Sequence, residues 1–322
     1  MSAPLATRTL DRCLVCGSDA LAPLPLAYEF RGRFPLVQCR RCGMRFLRVQ
    51  PAGDSLAELY SPEYFERDFR CGRSDAVASD RDAFREENDA LLDEFDRWTP
   101  PGPQPRRLLE VGSAAGGLLE RARGRGWSVK GVELSAGAVA QARALGLDVT
   151  QGDLTGAALP SSSQDLVYMG DVLEHVPDCR AVLAEVARVL VPGGILYLRG
   201  PITTHSLARS FALRAYAAAG RTIVLSEPPY HLWEFTPHSL SDAFQRAGLE
   251  TVSSRQTKIP PGRPHGRKSL PQRAVMYAFD VLNVALTRAF NARGDRITLI
   301  GRRPAASGGE AKQAQGSPAG AR

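Results

Sequence analysis

Along residues 106–301 the apolar and polar positions keep changing period. Short apolar runs alternate with stretches of helical spacing, the pattern of a sheet whose strands are joined by helices. Leu108, Leu109 and Val111 predict a buried parallel strand, and Leu118, Leu119 and Ala122 the apolar side of a helix behind it. Further strands are expected at 127–133, 147–150, 165–169, 195–198, 249–254 and 296–301. The intervening helices carry end signals. Ser135 caps one that runs to Ala144 and stops before Gly146; another, 179–190, closes at Pro192-Gly193-Gly194. A third has Thr236 as N-cap, Pro237 in its first turn and Gly248 beyond its end. The fold class expected is α/β, a doubly wound, seven-stranded, mostly parallel sheet.

Before this core, 82–98 reads as an amphipathic helix with Phe84, Leu91, Leu92 and Phe95 inward, preceded by a helical face at Leu56, Leu59 and Tyr60. The proline-rich 99–105 is a linker. The alanine-rich 203–225 is expected to be a helical insertion over the strand ends, and 275–290 an apolar helix interrupted by Asp280 and Asn283. No regular structure is expected at 1–9 or in the low-complexity 307–322. The organisation expected is a cysteine-bearing module at 1–50, a helical lid and linker at 51–105, the core at 106–303 and a tail at 304–322.

The first core strand ends in Glu110-Val111-Gly112-Ser113-Ala114-Ala115-Gly116. Strand, glycine turn and helix together open a nucleotide-binding unit. The phosphate loop needs a lysine, absent here, and a dinucleotide site prefers G-x-G-x-x-G. The spacing here is E-x-G-x-x-x-G. A carboxylate beside the turn suits a cationic ligand better than a polyanion. An acid, Glu133, ends the second strand about 20 residues on, where it can bind ribose hydroxyls. Asp153 follows the third strand, Asp171-Val-Leu-Glu174-His175-Val the fourth, and Leu190-x-Pro-Gly-Gly precedes the fifth.

In this order the motifs resemble those of the class I S-adenosylmethionine (SAM)-dependent methyltransferases over about residues 106–303, with one departure: the usual middle glycine of the turn is Ala114. The resemblance implies a Rossmann-like methyltransferase fold and SAM as cofactor. It implies Glu110, Gly112, Ser113 and Gly116 at the methionine end, Glu133 on the ribose with Leu134 beside it, Asp153 and Leu154 at the adenine, and Asp171 beside the sulfonium. The run His231-Leu-Trp-Glu-Phe-Thr-Pro resembles the segment that borders the acceptor pocket in small-molecule methyltransferases.

Near the N-terminus stand Cys13-Leu-Val-Cys16-Gly17 and Cys39-Arg-Arg-Cys42-Gly43. Two matched C-x-x-C-G knuckles point to tetrahedral Zn2+ on Cys13, Cys16, Cys39 and Cys42, a closed shell with a structural role. Arg40 and Arg41 are expected to offset its charge. A disulfide pair or redox motif fits less well in the reducing, cytoplasmic setting expected of a chain without a signal peptide. Cys71 reads as a lone thiol. With its N-terminal four-cysteine module, the chain resembles methyltransferases of sugar nucleotides, surface glycans and natural products, and superficially zinc-finger ribosomal-RNA methyltransferases.

The chain of 322 residues carries a formal charge of +7, unevenly spread. From Arg255 onward there are 13 Lys/Arg against 3 Asp/Glu, so the first 254 residues are net acidic. A nucleic-acid enzyme needs positive charge around its mouth. The module also lacks a dense basic and aromatic surface, and the fourth-strand motif is not the N-P-P-Y type. A small polar acceptor is therefore expected and nucleic acid is not. A non-enzymatic zinc-binding interaction protein is disfavoured by the intact Glu110, Glu133 and Asp153. No apolar stretch reaches the roughly 20 residues of a membrane span. O- or C-methylation is expected, and if the acceptor must lose a proton, as a hydroxyl or a carbon acid does, His175 and His231 are the candidate bases. The blander readings are that His175 begins a helix and that His231 only binds substrate. Asp171, Glu174 and His175 are cation ligands in kind, but neighbours at a helix start are not expected to converge.

Overall fold

The computed structural model describes residues 4–59, 77–258 and 270–305. Tyr60, Cys71, the basic Arg263–Lys268 stretch expected as a loop before the 275–290 helix, and the 307–322 tail lie outside them, as do the side chains of Leu56 and Phe84.

In chain order, the N-terminal part supplies β1 (Thr7–Thr9), β2 (Leu21–Glu29), β3 (Arg33–Cys39), β4 (Arg45–Leu47), β5 (Val49–Pro51), α1 (Asp54–Leu59) and α2 (Val77–Trp98). The core begins with β6 (Arg107–Val111), α3 (Gly117–Gly124), β7 (Ser128–Glu133), α4 (Ala136–Ala144), β8 (Val149–Gln151), β9 (Gln164–Gly170), α5 (Cys179–Val189) and β10 (Leu190–Pro201). There follow a 3₁₀ turn (Thr203–His205), α6 (Leu207–Ala218), β11 (Ile223–Leu225), β12 (Trp233–Glu234), α7 (Pro237–Arg246), β13 (Glu250–Thr257), α8 (Leu270–Phe290) and β14 (Arg296–Arg302).

The seven-stranded sheet has the order β13-β14-β10-β9-β6-β7-β8. Strands β8, β7, β6, β9 and β10 run parallel, and β14 is antiparallel to both β10 and β13. This is the doubly wound, Rossmann-like architecture expected from the alternating pattern. One face is covered by α2, α3 and α4. Phe95 of α2 is fully buried there, its ring 5.1 Å from Tyr197 and 5.3 Å from Tyr168. The other face packs Val186 of α5 and Phe244 of α7 into a core continuous with Phe34, Leu36 and Phe46 of the N-terminal strands.

That continuity corrects one expectation and adds another element. Residues 7–9 are not irregular: Thr7–Thr9 pairs antiparallel with Val49–Pro51, a partner too distant in sequence to be read locally. The N-terminal sheet, order β11-β2-β3-β4-β12, takes its two outer strands from residues 223–234. Leu47 N–H donates to Leu232 O at 3.0 Å, and the Phe46 and Trp233 rings lie 5.7 Å apart. The cysteine-bearing segment is thereby knitted to the segment that follows α6.

Candidate functional site

In the sheet order, β6 lies between β7 and β9, the point where a doubly wound sheet leaves a crevice beyond its strand ends. The glycine turn sits there. Gly112 (φ 74°) and Gly116 (φ 83°) are both left-handed. A Cβ on Gly112 would lie 2.6 Å from Val172 Cγ2, and one on Gly116 would collide with Leu147. Only glycine meets both the conformation and the close approach. Ala114 adopts the same left-handed region (φ 46°) without glycine's freedom.

Glu133, at the end of β7, clasps this turn. Its Oε2 accepts from Ala114 N–H at 2.9 Å and its Oε1 from Ser135 N–H at 2.8 Å. Glu110 is buried, and its Oε2 has no hydrogen-bond partner; nor has the buried Ser113 Oγ. Burial, and then the charge of Glu133, push the Glu110 carboxyl well above the usual carboxylate range. A cationic ligand on the turn would supply the missing countercharge and its polar groups the missing partners. The site therefore fits the methionine end of SAM.

Asp153 lies beyond β8. Its Oδ1 accepts from the Thr155 hydroxyl and from Gly156 N–H, each at 2.7 Å, and these bonds hold it below the usual range. Leu154 is 1% exposed, its side chain packed in the core, whereas Leu134 is 58% exposed. Of these two, Leu134 has the side chain available to a ligand. Asp171 (φ 54°) accepts both bonds from Arg296 Nη2 of β14, at 2.7 and 2.6 Å. Sequence reasoning missed this partner, because β14 lies 125 residues away.

Beyond Asp171 the chain makes a turn, with His175 N–H donating to Val172 O at 3.0 Å, and the helix starts only at Cys179. As expected, Asp171, Glu174 and His175 do not all converge, since Asp171 turns to Arg296; Glu174 and His175 do come together, with His231 as the third member. One ligand-type atom from each of Glu174, His175 and His231 lies within 4.8 Å of the others. The His175 and His231 rings meet edge to face, centroids 4.9 Å apart. His175 Nδ1 lies 3.0 Å from Tyr230 O, so Nδ1 carries the proton and Nε2 the lone pair. Nε2 is 3.8 Å from the buried Glu174 Oε1, which has no hydrogen-bond partner.

The environments separate these groups. Burial, with the neighbouring His231 charge, drives His175 down to about 3. Burial raises Glu174 to about 7, against the pull of His231. Burial also opposes charge on His231, but Glu234, Glu174 and Asp171 outweigh it and leave His231 above its ordinary value. Glu234 is buried too, yet His231, Thr203 and Arg209 hold it below its ordinary value. His231 Nδ1 is 3.9 Å from Glu234 Oε1; Thr203 Oγ1 donates to Glu234 Oε2 at 3.1 Å and Tyr28 OH to Oε1 at 3.4 Å. Glu234 lay in the H-L-W-E-F-T-P run, but no sequence signal marked it as the partner of His231. Tyr28, from the N-terminal sheet, had no signal at all.

The four N-terminal cysteines bring their Sγ atoms within 4.8 Å of one another. Cys13 and Cys42 stand 3.6 Å apart and Cys16 and Cys39 3.5 Å. A tetrahedron with Zn–S near 2.3 Å needs about 3.8 Å between sulfurs, whereas a disulfide needs about 2.05 Å. The donor set fits zinc. Gly17 N–H donates to Cys13 O at 2.8 Å and Gly43 N–H to Cys39 O at 2.9 Å, closing the two knuckles. Arg40 and Arg41, expected to offset the charge, are exposed; Arg246 at the end of α7 is a cation on which Cys16 and Cys42 act.

Comparison with known proteins bears on this site. A family profile described as a methyltransferase domain matches residues 81–254. Curated proteins named ubiquinone biosynthesis O-methyltransferase, from Thiobacillus denitrificans and Paracidovorax citrulli, are 30% and 31% identical over 158 and 170 residues. Those alignments cover 45% and 49% of this chain and 65% and 69% of the relatives. A solved S-adenosylmethionine dependent methyltransferase from Mesorhizobium loti aligns over 64% of this chain and 95% of its own, at 20% identity and TM-score 0.44.

Proposed function

The chain belongs to the methyltransferase domain family, and from that premise we propose that it transfers a methyl group from SAM to a hydroxyl of a small polar acceptor, with His231 as general base. SAM, when bound, supplies an electrophilic methyl on a sulfonium. What remains for the protein is to orient the acceptor, exclude water and take a proton.

The observation that carries this reading is the half-buried His231 backed by the buried Glu234, with the His175 ring against it. A histidine with a raised pKa and a carboxylate behind it accepts a hydroxyl proton near neutral pH. His175, held neutral and very weakly basic, orients rather than abstracts. It keeps its Nδ1 proton on Tyr230 O and turns Nε2 toward Glu174. Glu133 and Glu110 hold the ribose and the cationic end of the cofactor, and Asp153 and the exposed Leu134 receive the adenine. Asp171, tied to Arg296, lines the path between cofactor and acceptor.

The relatives named O-methyltransferase support oxygen as the methylated atom. The net acidic first 254 residues support a small acceptor over nucleic acid. Within that class, a sugar nucleotide, a surface-glycan precursor or a natural-product intermediate is the acceptor we favour. We assign the four cysteines a structural zinc that ties the N-terminal sheet to its neighbours. Among the described residues no helix is long and apolar enough to cross a membrane.

The test is direct. Purified protein incubated with methyl-labelled SAM and a panel of hydroxylated acceptors should yield a product heavier by one methyl group. His231→Asn should lose turnover while still binding SAM. An His231→Asn variant with undiminished turnover would overturn the assignment of the base.

A further inference from the structure

Three half-buried arginines come from segments that meet around the 203–205 turn, next to the histidine–carboxylate cluster, and none has an ion-pair partner of its own among the described residues. Arg45 comes from β4, Arg209 from α6 and Arg293 from the turn before β14. Among the described residues none of the three forms an ion pair, and Arg209 and Arg293 form no hydrogen bond either. Neighbouring cations behave differently: Arg296 is paired with Asp171, and Lys258 with Asp295 and Asp280. A half-buried guanidinium left without a counterion is costly, and a like charge beside it more so.

The geometry ties this group to the acceptor side of the site. Arg45 donates from Nε to Gln38 Oε1 at 3.2 Å and from Nη1 to Thr204 O at 2.9 Å. Thr204 lies in the same 3₁₀ turn as Thr203, whose hydroxyl holds Glu234 behind His231. Ile202 N–H, just before that turn, donates to Asp295 O at 2.8 Å, which brings the 293–295 turn alongside. The buried Thr204 hydroxyl has no hydrogen-bond partner. Burial depresses Arg45, Glu234 opposes that and Arg293 adds to it; His205 is depressed by burial and then by Arg293 and Arg45. Arg209 is near enough to Glu234 to help keep it ionised. Glu234 is one carboxylate shared by His231, Arg45 and Arg209, so the cations around it remain in excess.

We propose that Arg45, Arg209 and Arg293 form an oxyanion clamp that holds a phosphate or diphosphate group of the acceptor, with its hydroxyl directed at His231. Guanidinium forks match phosphate oxygens two at a time, which suits a phosphorylated substrate better than a neutral one. The clamp rests on the methyl-transfer reading above, and it narrows the acceptor to a phosphorylated small molecule such as a nucleoside-diphosphate-linked or phosphomonoester sugar.

Inorganic pyrophosphate is the probe, titrated calorimetrically into the full-length protein, with SAM titrated separately. One saturable pyrophosphate site is expected, weakened roughly tenfold or more by Arg293→Gln or Arg45→Gln. SAM affinity should be unchanged in both variants, which also shows that they fold. Arg293→Lys, which keeps the charge but not the fork, should fall between wild type and Arg293→Gln. With a phosphorylated acceptor, Arg293→Gln should raise KM far more than it lowers kcat. Absence of saturable pyrophosphate binding in a protein that binds SAM overturns the clamp and leaves the methyltransferase reading standing. Equal pyrophosphate affinity in wild type and the triple Arg→Gln variant overturns it as well, because the anion then binds elsewhere. Failure of wild type to bind SAM would count against the reading on which the clamp rests.

Discussion

Glu133 Oε2 accepts the backbone N–H of Ala114 at 2.9 Å, so the acid at the end of β7 holds the turn at the end of the neighbouring β6. The same carboxylate is assigned to the ribose, and its remaining lone pairs are free to take hydroxyl protons. Glu133→Ala should cost SAM binding about 1.5–3 kcal/mol, the loss of hydrogen bonds to a charged acceptor, and should also loosen the turn. Calorimetry with SAM checks this. Glu133→Gln should retain part of the affinity, since an amide oxygen still accepts from Ala114 but has no charge.

Ala114 is a different kind of test. At φ 46° it occupies the left-handed region, which costs an L-residue roughly 1 kcal/mol. Ala114→Gly removes that strain but adds freedom to the unfolded chain, so its thermal midpoint should stay level or rise. Ala184→Gly, on the exposed side of α5, should instead destabilise by about 1 kcal/mol. If the two substitutions destabilise equally, the strain at Ala114 is not real.

Glu174 and His175 give stability opposite pH dependences. His175, depressed to about 3 from its ordinary 6.5, takes up its proton in the unfolded chain first, so it removes stability as pH falls from 6.5 toward 3. Glu174, raised to about 7 from its ordinary 4.5, keeps its proton in the folded chain longer. Its contribution is therefore lost as pH rises from 4.5 through 7. Between pH 4.5 and 6.5 the two oppose one another and this pair leaves the stability profile nearly flat. Glu174→Gln leaves the His175 effect alone, and denaturant midpoints should then fall steadily below pH 6.5. A Glu174→Gln profile as flat as wild type would contradict the burial assigned to His175.

Catalysis should titrate with His231. Because its pKa is raised, kcat should climb with pH through a value above 6.5. Glu234→Gln removes a negative charge and a hydrogen-bond acceptor from behind the ring, so the rising limb should move to lower pH and the plateau should drop. His231→Asn should lower kcat by roughly 10²-fold or more. An unmoved limb in Glu234→Gln would show that the titrating group is not His231.

Zinc removal should reach beyond the cysteines. The N-terminal sheet is completed by β11 and β12, and β12 carries Glu234. Chelation, or Cys39→Ser, should therefore lower both the thermal midpoint and turnover, with SAM affinity least affected. Metal analysis should find one zinc per chain on Cys13, Cys16, Cys39 and Cys42. A metal-free protein with full stability would remove zinc from the account.

Much of this molecule was legible one strand at a time. The apolar run through Leu108 and Leu109, the glycine turn and Glu133 all lie within a short stretch, and local periodicity and turn chemistry report such features directly. The two knuckles were legible for the same reason: four cysteines with two glycines define a ligand set by spacing alone. Helix ends at Ser135, Thr236 and Pro237 were set by capping groups a few residues apart, and the side chains of Ser135 and Thr236 do accept the expected backbone N–H groups.

The histidine–carboxylate cluster was decided only by tertiary structure. His231 and Glu234 were visible as residues, but the pairing with Tyr28 and Thr203 depends on β12 adding to β4. Asp171 acquires Arg296, and His175 acquires the Tyr230 carbonyl, across separations of 125 and 55 residues. Such contacts leave no periodic trace, because the chain that connects them is free to take many lengths and sequences at little cost in closure entropy. Burial, which sends Glu174 up and His175 down, is likewise a property of the packed whole. Local sequence selected the glycine turn and the cysteine knuckles; the histidine–carboxylate cluster is assembled only where the two sheets meet.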